Sequence, residues 1–242
     1  MELSIVIPAY NESKKIKKDI FAADKFIHDN FSSGQIIVVD DGSDDDTTKA
    51  ANSIVNEIKT KLDVIKLDKN SGKGAAIREG VKHSEGKIIL YADAGLTVPF
   101  NDALKGIKLI KENKCDIANG SRKMHDSNVV RKQDIDRRII SLFFGLAAKL
   151  FLHIPKDMTD TQCGFKLYKG DVARELFSRL TIAGFLFEIE IILLALKRGY
   201  RVVEFPVTWS CDRDSRLSVK KSSKNIIAEF KEIYKEFNKR DI

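Results

Sequence analysis

The sequence predicts an α/β fold in which a mostly parallel sheet is flanked by helices. Short apolar runs alternate with amphipathic stretches over residues 1–120, and polar clusters follow several of these runs. Helices cover both faces of a parallel sheet, which explains why the apolar runs show no polar alternation. Ligands of such folds bind beyond the carboxyl ends of the strands, and the polar clusters fall at those ends.

Hydrophobic spacing predicts each element in turn. Apolar runs predict strands at 3–7, 36–39, 64–67, 88–91 and 116–119, and helical spacing predicts helices around 16–27, 51–58, 73–82 and 104–110. The pattern changes after Gly120. There we expect a polar, basic loop at 121–138, an apolar helix at 139–152, a strand at 164–168, a helix at 187–198, a strand at 201–205 and an amphipathic helix at 222–240.

The domain organisation is expected to be simple. The chain has 242 residues, which suits one domain, and it contains no internal repeat and no linker rich in Gly, Ser or Pro. We expect residues 1–217 to form a single domain. Residues 218–242 would add a basic amphipathic helix that packs on this domain or extends it.

Composition excludes several classes of protein. Hydrophobic residues make up 43% and charged residues 32%, which excludes collagen-like and wholly disordered chains. The 3 Cys residues show no paired spacing, so we expect neither a disulfide framework nor a zinc site. A reducing compartment is therefore expected. No run approaches the ~20 apolar residues that span a bilayer, and no signal peptide is expected at the N-terminus.

The net charge of +7 comes largely from the C-terminal part of the chain. Such a bias suits an anionic partner, which is a nucleic acid, an anionic lipid surface or a phosphorylated substrate. A solvated helix face is the plainer explanation for residues 224–240. Nucleic acid is disfavoured, because aromatic residues do not interleave with the basic ones and residues 40–46 are acidic.

The first two polar clusters follow the first two predicted strands. Pro8, Tyr10 and Glu12 are suited to enclosing a planar base and a ribose, although a turn that caps the next helix is an equal alternative. In the second cluster, capping of a helix near Thr47 explains the polar residues 43–46. It does not explain Asp40, which continues a buried run, and this position indicates a functional role.

Later clusters suggest phosphate and metal chemistry. Residues 70–78 place two glycines and Lys73 at a helix start, where backbone N–H groups and a cation can bind phosphate, although Walker A spacing is absent. Asp93 ends a buried strand, where a carboxylate can hold a divalent metal. The polar residues at 160–166 form a loop that leads into another predicted strand. Each of these clusters, taken alone, also fits an ordinary turn or strand end.

Together, the clusters resemble one family. The segments IPAYNE, VVDDGS and NSGKGAAIREG, then Asp93, Gly120-Ser121-Arg122 and DTQCGFKLY, are similar in order and spacing to family-2 glycosyltransferases. The branch that resembles this chain most moves a sugar from a nucleotide to a polyprenyl phosphate, as the dolichyl-phosphate glucose and mannose synthases do. DTQCGFK and the later Trp209 and Ser215-Arg216-Leu217 look like the glucosyltransferases of that branch. The resemblance covers residues 1–217.

This resemblance implies a GT-A fold, a Rossmann-like sheet with one substrate cleft, and assigns roles to residues. The donor-binding set would be Pro8, Tyr10, Glu12, Asp40, Asp41, Lys73 and Arg216, with Asp40 on the base and Arg216 over the diphosphate. The acceptor phosphate would be bound by Arg122, Arg137 and Ser141. Asp93 would hold Mg2+ or Mn2+, and Asp160 would orient the acceptor or act as a base, so that Asp93, Arg122 and Asp160 form the catalytic set.

The resemblance also implies partners and a location. The donor would be UDP-glucose, with GDP-mannose as the alternative, and the acceptor a polyprenyl or dolichyl phosphate. A hexose, with glucose favoured, would be transferred with inversion. The apolar run 142–152 follows a basic segment, so a peripheral position on the cytoplasmic face of a membrane is expected, although a buried core helix also fits this run.

The sequence departs from the family in one place. The family's metal motif is Asp-x-Asp, and here Gly95 replaces the second Asp. This departure keeps a non-catalytic binding protein for nucleotide sugars or lipid phosphates as an alternative, beside a family-2 enzyme with a different acceptor. A dehydrogenase is disfavoured, because no G-x-G-x-x-G follows the first strand, and a nucleotidyltransferase is disfavoured because a glycine-rich loop is missing there.

Overall fold

The computed structural model describes residues 1–131, 152, 154–155, 157–211 and 219–237. The strands are β1 (Leu3–Ala9), β2 (Gly34–Asp40), β3 (Lys61–Lys66), β4 (Ile88–Ala92), β5 (Ile117–Ser121), β6 (Asn128–Arg131), β7 (Phe165–Lys169), β8 (Val202–Pro206) and β9 (Thr208–Ser210). The helices are α1 (Ile16–Asn30), α2 (Thr47–Asn52), α3 (Lys73–Lys82), a short 3-10 helix (Phe100–Asp102), α4 (Ala103–Lys111), α5 (Gly170–Ser178), α6 (Phe187–Lys197) and α7 (Val219–Phe237).

The central sheet of the described residues has seven strands in the order β3-β2-β1-β4-β7-β5-β8. All neighbours pair in parallel except β7, which runs antiparallel between β4 and β5. The mostly parallel α/β fold expected from the sequence is therefore confirmed. Since β7 is reversed, the chain that enters it lies at the carboxyl end of β4, where Ala92 is paired with Phe165.

Helices pack on both faces of the sheet because successive side chains of each strand point to opposite sides. In β1, Leu3 and Ile5 pack in the layer that contains residues of α1 and α4. Val6 belongs to the opposite layer, with residues of α3, α5 and α6. These three side chains are fully buried, so burial on both faces accounts for the unbroken apolar run.

Two predictions from the sequence need correction. Within the segment expected to be a loop at 121–138, residues Asn128–Arg131 form β6, which pairs in parallel with β9. The helix expected over 51–58 ends at Asn52, because Asn and Ser side chains at this position favour a helix end. Beyond it, Ile54 is still buried while Val55 is exposed. Helix α5 was not anticipated.

The C-terminal helix α7 packs against the layer formed by α3, α5 and α6. Ile233 is 1% exposed, and Ile226, Phe230 and Phe237 pack beside it on the same helix face. The predicted amphipathic helix is thus confirmed, with its bounds shifted by a few residues. The boundary between residues 217 and 218 stays a prediction.

The apolar helix expected at 139–152 lies outside the described residues, except for the buried Leu152. Among the residues that the structure describes, no helix combines the length and the apolarity needed to cross a membrane.

Candidate active site

The functional side chains expected from the sequence meet at one edge of the sheet. Tyr10 follows β1, Asp40 ends β2, Asp93 follows β4 and Arg122 follows β5. These four strands run in the same direction, so their carboxyl ends share an edge. The predicted common location of these residues is confirmed.

The loops after β1 and β2 are held together by hydrogen bonds. The backbone N–H of Asn11 donates to Oγ of Ser43 at 2.7 Å, and that of Glu12 donates to Oγ1 of Thr47 at 2.7 Å. Oδ1 of Asn11 in turn accepts from the backbone N–H of Asp44 at 2.9 Å. These bonds fix the position of residues 8–12, the predicted nucleotide-binding segment, in which Pro8, Tyr10 and Glu12 are partly exposed.

Asp40 and Asp41 shape loops from inside the protein. Asp40 is fully buried, and its carboxylate accepts hydrogen bonds from the Ser43 backbone N–H at 2.8 Å and from the Thr48 hydroxyl. The Asp41 carboxylate accepts from the backbone N–H groups of Ser71 and Gly72. Burial raises the pKa of Asp41 above its ordinary value, and these two N–H groups oppose that rise. A direct contact of Asp40 with a base stays a prediction, whereas its loop-shaping contacts are visible.

The start of α3 docks on another segment of the chain. The backbone N–H of Gly74 donates to the carbonyl of Gly184 at 3.3 Å, and that of Ala75 donates to the carbonyl of Ala183 at 3.1 Å. A Cβ at Gly72, whose φ is 103°, would lie 2.4 Å from the Ala183 carbonyl oxygen. The expectation that backbone N–H groups of this helix start bind phosphate therefore needs correction: two of them are used internally, and the Lys73 side chain is the group that faces the site.

Lys73 lies in a row of alternating charges. Its Nζ is 2.8 Å from Oδ1 of Asp93 and 3.0 Å from Oε1 of Glu188. Oε2 of Glu188 lies 2.7 Å from Nζ of Lys166. Lys166 and Glu188 are 1% and 3% exposed, while Lys73 and Asp93 are 18% and 34% exposed, so the row runs from the interior to the surface of the site.

This row keeps its groups ionised. Burial alone would raise the pKa of Glu188, but Lys166 and Lys73 outweigh it and lower that pKa to about 2. Burial alone would lower the pKa of Lys73, but Asp93 and Glu188 raise it above its ordinary value. The Lys73 ammonium also lies over the rings of Tyr91 and Phe187, at 5.6 and 5.7 Å from their centroids. It is therefore a fixed cation beside Asp93.

Arg122 and Asp160 form a second ionic pair. Nε of Arg122 is 2.6 Å from Oδ2 of Asp160, and one terminal nitrogen is 2.8 Å from Oδ1, which is the bidentate geometry that suits guanidinium and carboxylate. The guanidinium also lies 5.3 Å from the centre of the Trp209 ring. Burial alone would raise the pKa of Asp160, but Arg122 lowers it to about 2. These contacts indicate that Asp160 orients Arg122 rather than acting as a base.

Glu204 supports this pair from the neighbouring strand β8. Its carboxylate accepts hydrogen bonds from the backbone N–H groups of Thr159 and Asp160, both at 2.8 Å, and from the Thr159 hydroxyl. Asn119 donates to the Asp160 carbonyl at 2.7 Å. The turn that carries Asp160 is therefore held by side chains of the sheet.

Residues 160–164 connect the two ionic groups. The Gln162 carbonyl accepts from Arg122 at 3.0 Å, the Cys163 carbonyl accepts from Lys166, and the Gly164 carbonyl accepts from the Asp93 backbone N–H at 2.9 Å. The segment DTQCG thus fixes Arg122 and Asp93 relative to each other.

Gly164 is required by this arrangement. A Cβ at this position would lie 2.0 Å from Oδ2 and 2.2 Å from Cγ of Asp93. No side chain fits there unless the carboxylate moves, so the absence of a Cβ lets Asp93 lie against the chain that enters β7.

The described residues do not fit a divalent cation held by protein ligands. A cation such as Mg2+ is usually held by one or two carboxylates together with substrate phosphates, but the carboxylate expected to hold it here, Asp93, already faces the Lys73 ammonium through Oδ1. The position of a second acid is Gly95, whose N–H donates to the buried carboxylate of Asp19 at 2.9 Å. In the described part of the chain, no group of three His, Cys, Asp or Glu side chains could hold a metal ion.

Three predicted site residues, Arg137, Ser141 and Arg216, lie outside the described residues, so their roles stay predictions. In contrast, the roles of Glu188 and Glu204 in the site were not anticipated. Glu188 had a detectable signal, because it interrupts the apolar run of α6, and charged residues are seldom buried without partners. Glu204 lies in a mixed strand and gave no such signal.

Comparison with known proteins identifies the family of the chain. Residues 4–177 match the family model described as Glycosyl transferase family 2. The chain is 35% identical over 224 residues to a dolichyl-phosphate beta-glucosyltransferase of Saccharomyces cerevisiae, and 33% identical over 227 residues to that of Homo sapiens. The alignments cover 86% and 89% of this chain but 66% and 69% of those relatives. The chain thus spans about two thirds of their length.

Solved structures share the fold at lower identity. Glucosyl-3-phosphoglycerate synthase from Mycobacterium tuberculosis, in complex with Mn2+ and UDP-glucose, superposes with a TM-score of 0.71 at 18% identity, covering 96% of this chain and 78% of that one. S. aureus TarS 1-349 superposes with a TM-score of 0.63 at 17% identity, covering 100% of this chain and 67% of that one. At these identities the likeness shows the fold alone.

Proposed function

The chain belongs to glycosyl transferase family 2, and we propose that it transfers a glucosyl group from UDP-glucose to a polyprenyl phosphate of the dolichyl type. The observation that carries the proposal is the presence of two held cations at this edge of the sheet: Arg122 contacts the segment 160–164 directly, and Lys73 is linked to it through Asp93. The names of the curated relatives supply the sugar and the acceptor.

The reaction follows from charge. An oxygen of the acceptor phosphate forms a bond to C1 of the sugar while the bond from C1 to the donor diphosphate breaks, and the electron pair leaves with the nucleoside diphosphate. A phosphate monoester carries −1.5 to −2 charges at pH 7, so its oxygen attacks without a strong general base. Attack opposite the leaving group inverts the anomeric centre and gives a β-linked product from an α-linked donor.

The residues of the site are assigned from their positions. The partly exposed residues Pro8, Tyr10 and Glu12 bind the base and ribose, with Asp40 and Asp41 holding the surrounding loops. Arg122 binds the acceptor phosphate, since guanidinium geometry matches phosphate, and Asp160 keeps it oriented. Arg137, Ser141 and Arg216 remain predicted contributors to the same anions.

A divalent cation held by Asp93, as expected from the sequence, does not fit the described residues. The structurally similar synthase was solved with Mn2+ and UDP-glucose, but Asp93 here already pairs with Lys73. The proposal therefore routes no step through a metal. One alternative function, a binding protein without turnover, is supported by Gly95 in place of the second Asp of the family motif.

The location follows from the acceptor. A polyprenyl phosphate resides in a membrane, so we propose that the chain works at a membrane surface on the cytoplasmic side. Helix α7 supports this, because it exposes the apolar residues Ile227 and Tyr234 beside Lys231. Exposed apolar side chains next to basic ones suit an anionic lipid surface.

The test is a transfer assay with purified protein. UDP-glucose and GDP-mannose, each radiolabelled, are incubated with dolichyl phosphate in detergent, and the extracted lipid is examined by mass spectrometry and by NMR of the anomeric proton. We expect a β-linked glucosyl phospholipid from UDP-glucose. Binding of UDP-glucose without any glycolipid product would support the binding protein instead, and no binding of either nucleotide sugar would refute both functions.

A further inference from the structure

The Lys73 ammonium lies beside Asp93, at the edge of the sheet where the donor diphosphate is proposed to bind. It is fixed between Asp93 and Glu188 at 2.8 and 3.0 Å, and by the ring faces of Tyr91 and Phe187. Its side chain retains 18% exposure at the opening of the site. A cation held in this way needs little reorganisation when negative charge develops next to it.

The neighbouring charges allow Lys73 to interact with an incoming anion. Glu188 has a second partner in Lys166, 2.7 Å away, so it stays compensated when the Lys73 ammonium also donates a hydrogen bond to a ligand. Asp93 needs a positive neighbour if a diphosphate is to approach it, because two anions repel strongly at short distance in a partly buried site. Lys73 supplies that neighbour.

The chain lacks the second carboxylate that would favour a metal ion at this point. Gly95 has no side chain, and its N–H donates to Asp19, which is 2% exposed. The Asp19 carboxylate is thereby turned to the backbone of the 93–96 turn. Asp93 is then the one carboxylate of this motif, and its charge is balanced by the Lys73 ammonium, which a divalent cation would have to displace.

We propose that the Lys73 ammonium, rather than a divalent metal ion, neutralises the leaving diphosphate of the donor, so that nucleotide binding by this chain is independent of divalent metal. This inference rests on the proposed function. During transfer, the electron pair of the broken C1–O bond moves to the β-phosphate oxygen. Lys73 donates a hydrogen bond to that diphosphate and stays protonated.

The test measures nucleotide binding by isothermal titration calorimetry, with UDP and UMP as probes, in EDTA and in MnCl2. Wild-type protein is expected to bind UDP with affinities that agree within about threefold in the two buffers. Lys73→Ala should weaken UDP binding in EDTA about tenfold, since a charge-assisted hydrogen bond is lost. Its affinity for UMP should stay within about twofold, because UMP lacks the β-phosphate.

The same variant gives a second signature. With the ammonium removed, Asp93 is unpaired and Mn2+ should restore part of the UDP affinity of Lys73→Ala, although it has little effect on the wild type. Lys73→Arg, which keeps the charge, should retain more UDP affinity in EDTA than Lys73→Ala. Lys82→Ala is the matched control, since Lys82 lies at the far end of the same helix with 70% of its side chain exposed. Thermal unfolding of each variant checks its fold.

Two results would overturn the inference while leaving the proposed function intact. One is a wild-type protein that loses UDP affinity about tenfold or more in EDTA and regains it with Mn2+. The other is a folded Lys73→Ala protein that binds UDP in EDTA as the wild type does. A wild-type protein that binds UDP in neither buffer would overturn the proposed function as well.

Discussion

Substitution of Glu188 tests how much the buried ion pairs below the site contribute to the free energy of unfolding. Glu188 is 3% exposed and accepts hydrogen bonds from Lys73 and Lys166. Glu188→Gln keeps the shape of the side chain but leaves Lys166, 1% exposed, without its anion. Removing one partner of a buried ion pair costs about 3–5 kcal/mol of unfolding free energy.

The pKa of Glu188 gives the same magnitude by a separate route. Lowering that pKa from 4.5 to about 2 corresponds to about 3 kcal/mol of stability at neutral pH. For a carboxyl whose pKa is depressed on folding, this contribution is complete well above pH 4.5 and is lost as the pH falls toward 2. The difference between wild type and Glu188→Gln should therefore fall to less than half by about pH 3.

Urea unfolding followed by circular dichroism measures this difference. We expect Glu188→Gln to lose about 3 kcal/mol at pH 7, and Glu188→Gln combined with Lys166→Met to recover most of it, because the uncompensated charge is then absent. Glu112→Gln is a surface control: Glu112 pairs with Lys114 at 2.7 Å, but both side chains are well exposed, so little change is expected. A loss below about 1 kcal/mol, or one that is the same at pH 3 and pH 7, would refute the reasoning.

Three further predictions concern neighbouring positions. Gly164→Ala must displace the Asp93 carboxylate by more than about 1 Å and should lower the rate of transfer about 100-fold with the fold retained; an unchanged rate in the glycolipid assay would contradict this. Asp160→Asn should raise the KM for polyprenyl phosphate about tenfold with an unchanged UDP affinity, because Arg122 loses its orientation, whereas loss of the acidic limb of the pH–rate profile would instead indicate that Asp160 is a base. Burial raises the pKa of Asp19 to about 7 against the opposing effect of the Gly95 N–H, so Asp19→Asn should gain stability relative to wild type as the pH rises from about 4 to about 7; urea midpoints that stay parallel would exclude this linkage.

The order of secondary-structure elements could be predicted from the sequence because each element carries its own pattern. Residues 73–82 read as a helix and form α3 with those bounds. The buried strands β1, β2 and β4 lie over the predicted apolar runs, and the polar residues follow them at one edge. The carboxyl ends of parallel strands lie at the same edge of a sheet. The sequence alone therefore predicts that Asp40, Asp93 and Arg122 lie at one edge.

Short elements were harder to predict. The strand β6 has four residues, and its pairing with β9 comes from a segment far along the chain. Val130 of β6 is 66% exposed, so this strand has no run of buried apolar residues that would predict it from the sequence. The three residues of β9 are each only partly buried. Pairing of this kind depends on tertiary contacts rather than on local preference.

The sequence by itself determined the fold class, the family and the edge of the sheet that carries the chemistry, because periodicity and motif spacing are local properties of the chain. Only the tertiary structure decided which charges neutralise one another. Lys73 and Glu188 are 115 positions apart, and Arg122 and Asp160 are 38 apart. Ion pairing depends on distance and burial in three dimensions, so no pattern along the chain could show that the lysine of the α3 start pairs with Asp93, the expected metal ligand.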